Sequence, residues 1–198
     1  MAIITATITI TGTRVLLWNR FTSNTIPLGG RRERTGTAGN DPSEWQRSVL
    51  ITPSRQLYLD PTAIFGCLRD AARYTSRKRG TLQPFVAATL QVLDERVLID
   101  RFLPEHPDND SNQLVYIDVR SVRNPATRAR NVRYRVATAP GWHATFSIQW
   151  DATMVSRQEM LAVLLDAGRF AGLGDARAVG FGRFTLDLER DVQLTEAG

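Results

Sequence analysis

Six residues late in the sequence have the types and spacing to hold a phosphate. Gly172, Gly174, Gly180 and Gly182 punctuate the stretch Gly172-Leu-Gly-Asp-Ala-Arg-Ala-Val-Gly-Phe-Gly-Arg-Phe184, and Arg177 and Arg183 stand among them. Glycine admits positive φ and puts no Cβ between backbone and ligand, so successive amides can wrap an anion while the guanidiniums add charge. The same spacing also suits a helix C-cap at Gly172 followed by a plain turn.

Other arginines are grouped. Asp60 as N-cap and Pro61 at the first helical position predict a helix whose core face carries Ile64, Cys67, Leu68, Ala71 and Thr75. Arg69, Arg73 and Arg77 fall off that stripe, giving the helix a basic face. Arg77, Lys78 and Arg79 at its end suit the helix dipole as well as a phosphate. Residues 114–138 read as two strands around a turn at Asn124-Pro125, with Arg128 and Arg130 near the tip and Arg133 and Arg135 on one face. Asp118 is the one acid among them, and a cluster so poorly neutralised repels itself unless an anion joins it. Arg14, Asn19 and Arg20 follow the first strand.

The 198 residues carry 25 basic and 20 acidic side chains, a formal charge of +5, and lysine occurs only at Lys78. Such a balance favours a polyanionic partner, and arginine's planar fork both pairs with phosphate and stacks on bases. A GC-rich genome would raise arginine as well, so the placement of the arginines carries more weight than their number. A single cysteine, Cys67, excludes an intrachain disulfide and a multi-cysteine zinc site, and its place in the helix predicts a buried thiol. The polar loop Glu105–Asp110 with His106 lacks an ordered ligand pattern, so neither metal nor cofactor is expected. His143 has no partner visible in the sequence and reads as structural; its catalytic alternative is a general base for RNA cleavage. No apolar run is long enough to span a membrane, which predicts a soluble, cytoplasmic protein with no membrane partner.

These groups need a scaffold. Ile3–Gly12 alternates β-branched residues with threonine, a strand with one buried face. Residues 22–48 have no sustained period and form a long loop insertion, either solvated or clamping a nucleic acid, with Trp45 docking its end on something apolar. Phe85–Leu93 and Val97–Asp100 read as strands, and His143–Asp151 as another. Ser156 and Glu159 form a capping box that opens a second helix ending at Gly172, and Phe181–Leu188 is the last strand, followed by a fraying tail. The expected architecture is a single α+β domain over residues 1–198, ferredoxin-like (RRM-like), with two helices on one face of an antiparallel sheet and a projecting basic β-hairpin.

A helix, a Gly-rich loop with an interspersed arginine, and a Gly-aromatic-Gly lead into a final strand resemble the C-terminal signature of the RAMP superfamily (repeat-associated mysterious proteins), the RNA-binding ferredoxin-like subunits of CRISPR effector complexes. Arg14-Val-Leu-Leu-Trp-Asn-Arg20 resembles the opening of the family's backbone subunits, Leu68-Arg-Asp-Ala71 their first helix, and the basic hairpin their "thumb". The resemblance implies a non-enzymatic subunit that grips the sugar-phosphate backbone of a guide RNA and assembles head-to-tail into a filament. Its partners would be the guide, the complementary target strand, copies of itself and other effector subunits. Two alternatives stay open: a standalone single-stranded nucleic-acid-binding protein of a phage or mobile element, and a metal-independent endoribonuclease using His143.

Overall fold

Ile4, Ala6, Ile8 and Ile10 point to one side of β1 (Ile3–Gly12) and are buried, and the threonines between them face the other side. A computed structural model describes residues 2–20, 41–77, 80–123 and 130–196. After β1 come β2 (Leu16–Leu17), α1 (Glu44–Ser48), β3 (Gln56–Leu59), α2 (Pro61–Ala71), α3 (Gln83–Thr89), β4 (Gln91–Val92) and β5 (Val97–Phe102). The chain continues through β6 (Val115–Arg123), β7 (Arg130–Thr138), β8 (His143–Asp151), α4 (Arg157–Asp166), β9 (Phe184–Thr185) and β10 (Val192–Glu196).

The main sheet is antiparallel in the order β10-β1-β8-β5-β3, with β4 also pairing β8 and β9 pairing the end of β1. Ile64, Cys67, Leu68 and Ala71 of α2 and Met160, Val163 and Leu164 of α4 share one core with Ile8, Phe146, Ile148 and Trp150 of the sheet. Taking β1, α2, β5, β8, α4 and β10 in turn gives β-α-β-β-α-β with both helices on one face. This is the expected α+β, ferredoxin-like arrangement. The uncovered face is hydroxyl-rich, with Thr7 bonded to Ser147 (3.2 Å) and Thr9 to Thr145 (3.0 Å).

Both predicted helix starts are present. Asp60 Oδ1 accepts from the Thr62 amide at 2.9 Å, and the Ser156 amide donates to Glu159 Oε2 at 2.8 Å while Ser156 Oγ accepts from the Glu159 amide at 3.3 Å.

Three expectations are corrected, and a fourth is met in part. The helix after Asp60 stops at Ala71, and Thr75 leaves it to bond Asp166 (3.3 Å) and to take the Leu82 amide on its carbonyl (3.1 Å). Residues 85–89 are helical: Pro84 in the first turn of α3 presets φ, and the Leu82 carbonyl accepts from the amides of both Phe85 and Val86 at 3.0 Å, so only β4 remains of the expected strand. The expected last strand shrinks to β9, and the tail supplies β10, which pairs along β1 and lays Val192 and Leu194 on the core. The end of the insertion is ordered as α1, whose Trp45 packs against the core as its size requires; residues 21–40 lie outside the described residues.

The hairpin is present, and its root joins β2 in a second sheet ordered β2-β7-β6. Its tip, residues 124–129 with Arg128, lies outside the described residues, as do Lys78 and Arg79. No helix among the described residues is long and apolar enough to cross a membrane.

Candidate nucleic-acid interface

Helix α4 runs into a π-turn (Ala167–Ala171), closed by the Gly172 amide on the Ala167 carbonyl at 2.8 Å, and the Gly-rich loop begins there. Gly172, Gly174, Gly180 and Gly182 all have positive φ (76°, 71°, 92° and 66°). Three of them serve close packing. A Cβ at Gly182 would lie 1.8 Å from the Leu173 carbonyl oxygen, one at Gly174 2.5 Å from that of Leu17, and one at Gly172 2.8 Å from that of Phe181. Several amides are committed as well: Leu173 donates to Gly182 O, Asp175 to Leu17 O, Gly180 to Arg177 O and Gly182 to Val15 O. These amides are turned inward, and of the four glycines only Gly180 has open space where a Cβ would stand.

What the loop presents outward is charge. It faces α2 across a groove, and Arg69, Arg73 and Arg177 converge there on one carboxylate. Asp70 receives Arg69 at 2.9 Å, Arg73 at 3.4 Å and Arg177 at 3.5 Å. Three guanidiniums around one acid leave a surplus of two positive charges. Arg183 lines the same groove; its Nη2 reaches the Arg177 carbonyl at 3.4 Å, while its Nη1 is buried with no hydrogen-bond partner. A buried guanidinium nitrogen without an acceptor is costly.

The groove continues past Gly66, where a Cβ would meet nothing within 4 Å, to Arg20 at the start of α2. Arg20 pairs with Asp60 (3.3 Å) and Thr62 Oγ1 (3.1 Å), and Asn19 is exposed beside it. Arg14 is exposed, its amide donating to the Arg183 carbonyl at 3.2 Å.

Other predicted arginines hold the fold together. Arg77 is taken by Glu159 at 2.8 and 2.9 Å and by the Met154 carbonyl at 2.6 Å, with its guanidinium 4.5 Å above the Phe85 ring. Arg77 holds the Glu159 carboxyl well below its ordinary range, to about 2. Arg133 is paired with Glu44, tying the hairpin to α1. Arg135, only 4% exposed, bridges Asp118 (3.3 Å) and Asp175 (2.8 Å) and so fastens the hairpin to the Gly-rich loop. Arg130 stands opposite Arg123 at the outer end of the described hairpin. Spacing along the chain gave no sign of these pairs, whose members are 82, 89 and 40 positions apart.

Burial pushes the Cys67 thiol up to about 12, so it is an inert core group. His143 lies on the hydroxyl-rich face, away from α2, where its Nδ1 is 3.0 Å from Asp100 Oδ2.

No protein-family model and no curated protein matches the sequence. Among solved structures, all of this chain aligns with a chain of the cryo-EM structure of the Type III-B Cmr-beta bound to cognate target RNA, at 15% identity and a TM-score of 0.56. The two share a fold. This chain spans 62% of the length of that one. Within the shared fold, sequence reasoning missed the part of Arg69 and Asp70 in the groove. The spacing puts Arg69 on the basic face of α2, but nothing in it shows that Arg177, more than 100 positions later, meets the same carboxylate.

Proposed function

We propose that the chain is a non-enzymatic RNA-binding subunit of a CRISPR-type ribonucleoprotein, gripping the sugar-phosphate backbone of a guide RNA in the groove between α2 and the Gly-rich loop and assembling head-to-tail with copies of itself. The observation that carries this reading is the convergence of Arg69, Arg73 and Arg177 on Asp70 alone, beside the unpartnered nitrogen of Arg183. Guanidiniums in such surplus suit phosphates, which are contacted without regard to base. The likeness to a chain of an RNA-bound complex supports the choice of RNA as the polyanion. Arg73, Arg177 and Arg183, with Arg69 and Arg20, form the grip; Arg14, Asn19, Arg128 and Arg130 would extend it along the strand and the hairpin.

Sequencing the nucleic acid that accompanies the purified protein tests the reading. RNA of uniform length carrying a repeat-derived segment is the expected result. Heterogeneous nucleic acid, or none, overturns the guide assignment in favour of a standalone single-strand binder. Cleavage of repeat RNA that disappears in His143→Ala would overturn the non-enzymatic assignment.

A further inference from the structure

Tyr74 and Phe170 are large aromatic side chains left 52% and 49% exposed, with ring centroids 5.1 Å apart and planes tilted by 53°. They come from different elements, one from the turn after α2 and the other from the π-turn after α4, and both line the groove that holds Arg73, Arg177 and Arg183.

The exposure of Phe170 follows from the backbone. In an uninterrupted α-helix it would stand three residues beyond Ala167 and seven beyond Val163, on the stripe that packs on the sheet, and both of those residues are fully buried. The π-turn, with its i to i−5 bond from Gly172 to Ala167, widens the helix there and turns the ring outward against Tyr74. The fold thus spends a helix irregularity on presenting an apolar ring to water beside a surplus of guanidinium.

We infer that Tyr74 and Phe170 form a stacking platform for an unpaired base of the bound strand. Phosphates held by Arg73, Arg177 and Arg183 would place a base over the rings. The inference rests on the groove reading above and adds that the protein recognises a base face as well as the backbone. Every base has a π face, so the platform is indifferent to sequence while still requiring that a base be present.

The test is fluorescence anisotropy with a short labelled single-stranded RNA and the same strand carrying abasic positions. Wild type is expected to bind the intact strand roughly fivefold to 150-fold more tightly than the abasic strand, the range of one stacked base. Phe170→Leu keeps an apolar side chain of similar bulk, and Tyr74→Leu does the same; each is expected to weaken binding of the intact strand and leave the abasic strand unchanged. Tyr74→Phe is expected to behave as wild type. A strand with 2-aminopurine is expected to lose fluorescence on binding wild type and to keep it with Phe170→Leu. Equal affinity of wild type for both strands, or equal weakening of both by Phe170→Leu, overturns the platform and leaves the backbone grip standing. Failure of wild type to bind either strand overturns both.

Discussion

Arg177 Nη2 lies 3.5 Å from Asp70 Oδ2, while Arg69 already holds the other oxygen of the same carboxylate at 2.9 Å. Asp70 is thus oversubscribed, and Arg177, about one-third exposed, is the partner at the longest distance. An exposed pair of this kind contributes little to stability, so Arg177 can exchange Asp70 for a phosphate at small cost. Arg177→Ala is expected to weaken RNA binding alike across unrelated sequences and to reduce the slope of log affinity against log salt by about 1. Anisotropy titrations over a salt series measure both; an unchanged slope removes Arg177 from the grip.

Asp70→Asn removes the carboxylate that competes with phosphate for Arg69, Arg73 and Arg177. The expected result is tighter RNA binding, by roughly fivefold or about 1 kcal/mol, as suits one charge near a well-solvated surface. If Asp70 served only to brace α2, the substitution would leave affinity as it was.

The buried bridge of Arg135 to Asp118 and Asp175 has the opposite character, since both Arg135 and Asp118 are about 95% shielded from water. Arg135→Met leaves Asp175 without its cation and the buried Asp118 with Arg120 alone (2.5 Å), and is expected to cost about 3 kcal/mol of unfolding free energy, the low end for a broken buried pair, read from chemical denaturation. Loss of less than 1 kcal/mol would mean that the bridge is not closed in solution.

Two glycines separate conformational need from close packing. Gly180 has φ of 92° and open space around it, so Gly180→Ala is expected to cost about 1–2 kcal/mol through backbone strain alone. Gly182→Ala adds a collision with the Leu173 carbonyl and is expected to cost more than Gly180→Ala in parallel thermal melts.

The Arg77–Glu159 pair makes stability depend on acidity. With its folded value lowered from 4.5 to about 2, Glu159 contributes stability that is complete above pH 4.5 and is lost as pH falls toward 2. Arg77→Met is expected to lower stability at neutral pH by about 1 kcal/mol, the usual scale for a partly exposed pair, and to lose less than wild type on acidification through that window. RNA affinity at neutral pH is expected to stay unchanged, because Arg77 faces α4 rather than the groove.

Local signals carried much of the fold. The alternation of Ile and Thr in β1, the Asp60-Pro61 start of α2 and the reciprocal bonds of Ser156 and Glu159 each depend on residues a few positions apart, and each was legible. The run from Phe85 was not, because its aromatic and β-branched residues suit a strand and only Pro84, one residue before it, marked the first turn of a helix. The site was legible as a group of arginines and glycines but not as a division of labour. Arg77, Arg133 and Arg135 look like Arg69 and Arg177 in the sequence, and only long-range approach to Glu159, Glu44, Asp118 and Asp175 turns them inward. The register slip that exposes Phe170 depends on hydrogen bonding within one turn and leaves no mark in composition.

Leu16 and Leu17 form a strand of only two residues, yet Leu17 pairs with Ala137 at the hairpin root, takes the Asp175 amide on its carbonyl at 2.9 Å, and leaves no room for anything but hydrogen at Gly174. Two leucines therefore act as a keystone between three parts that never adjoin in the sequence. Pressure on the hairpin would be transmitted through them to the loop that carries Arg177.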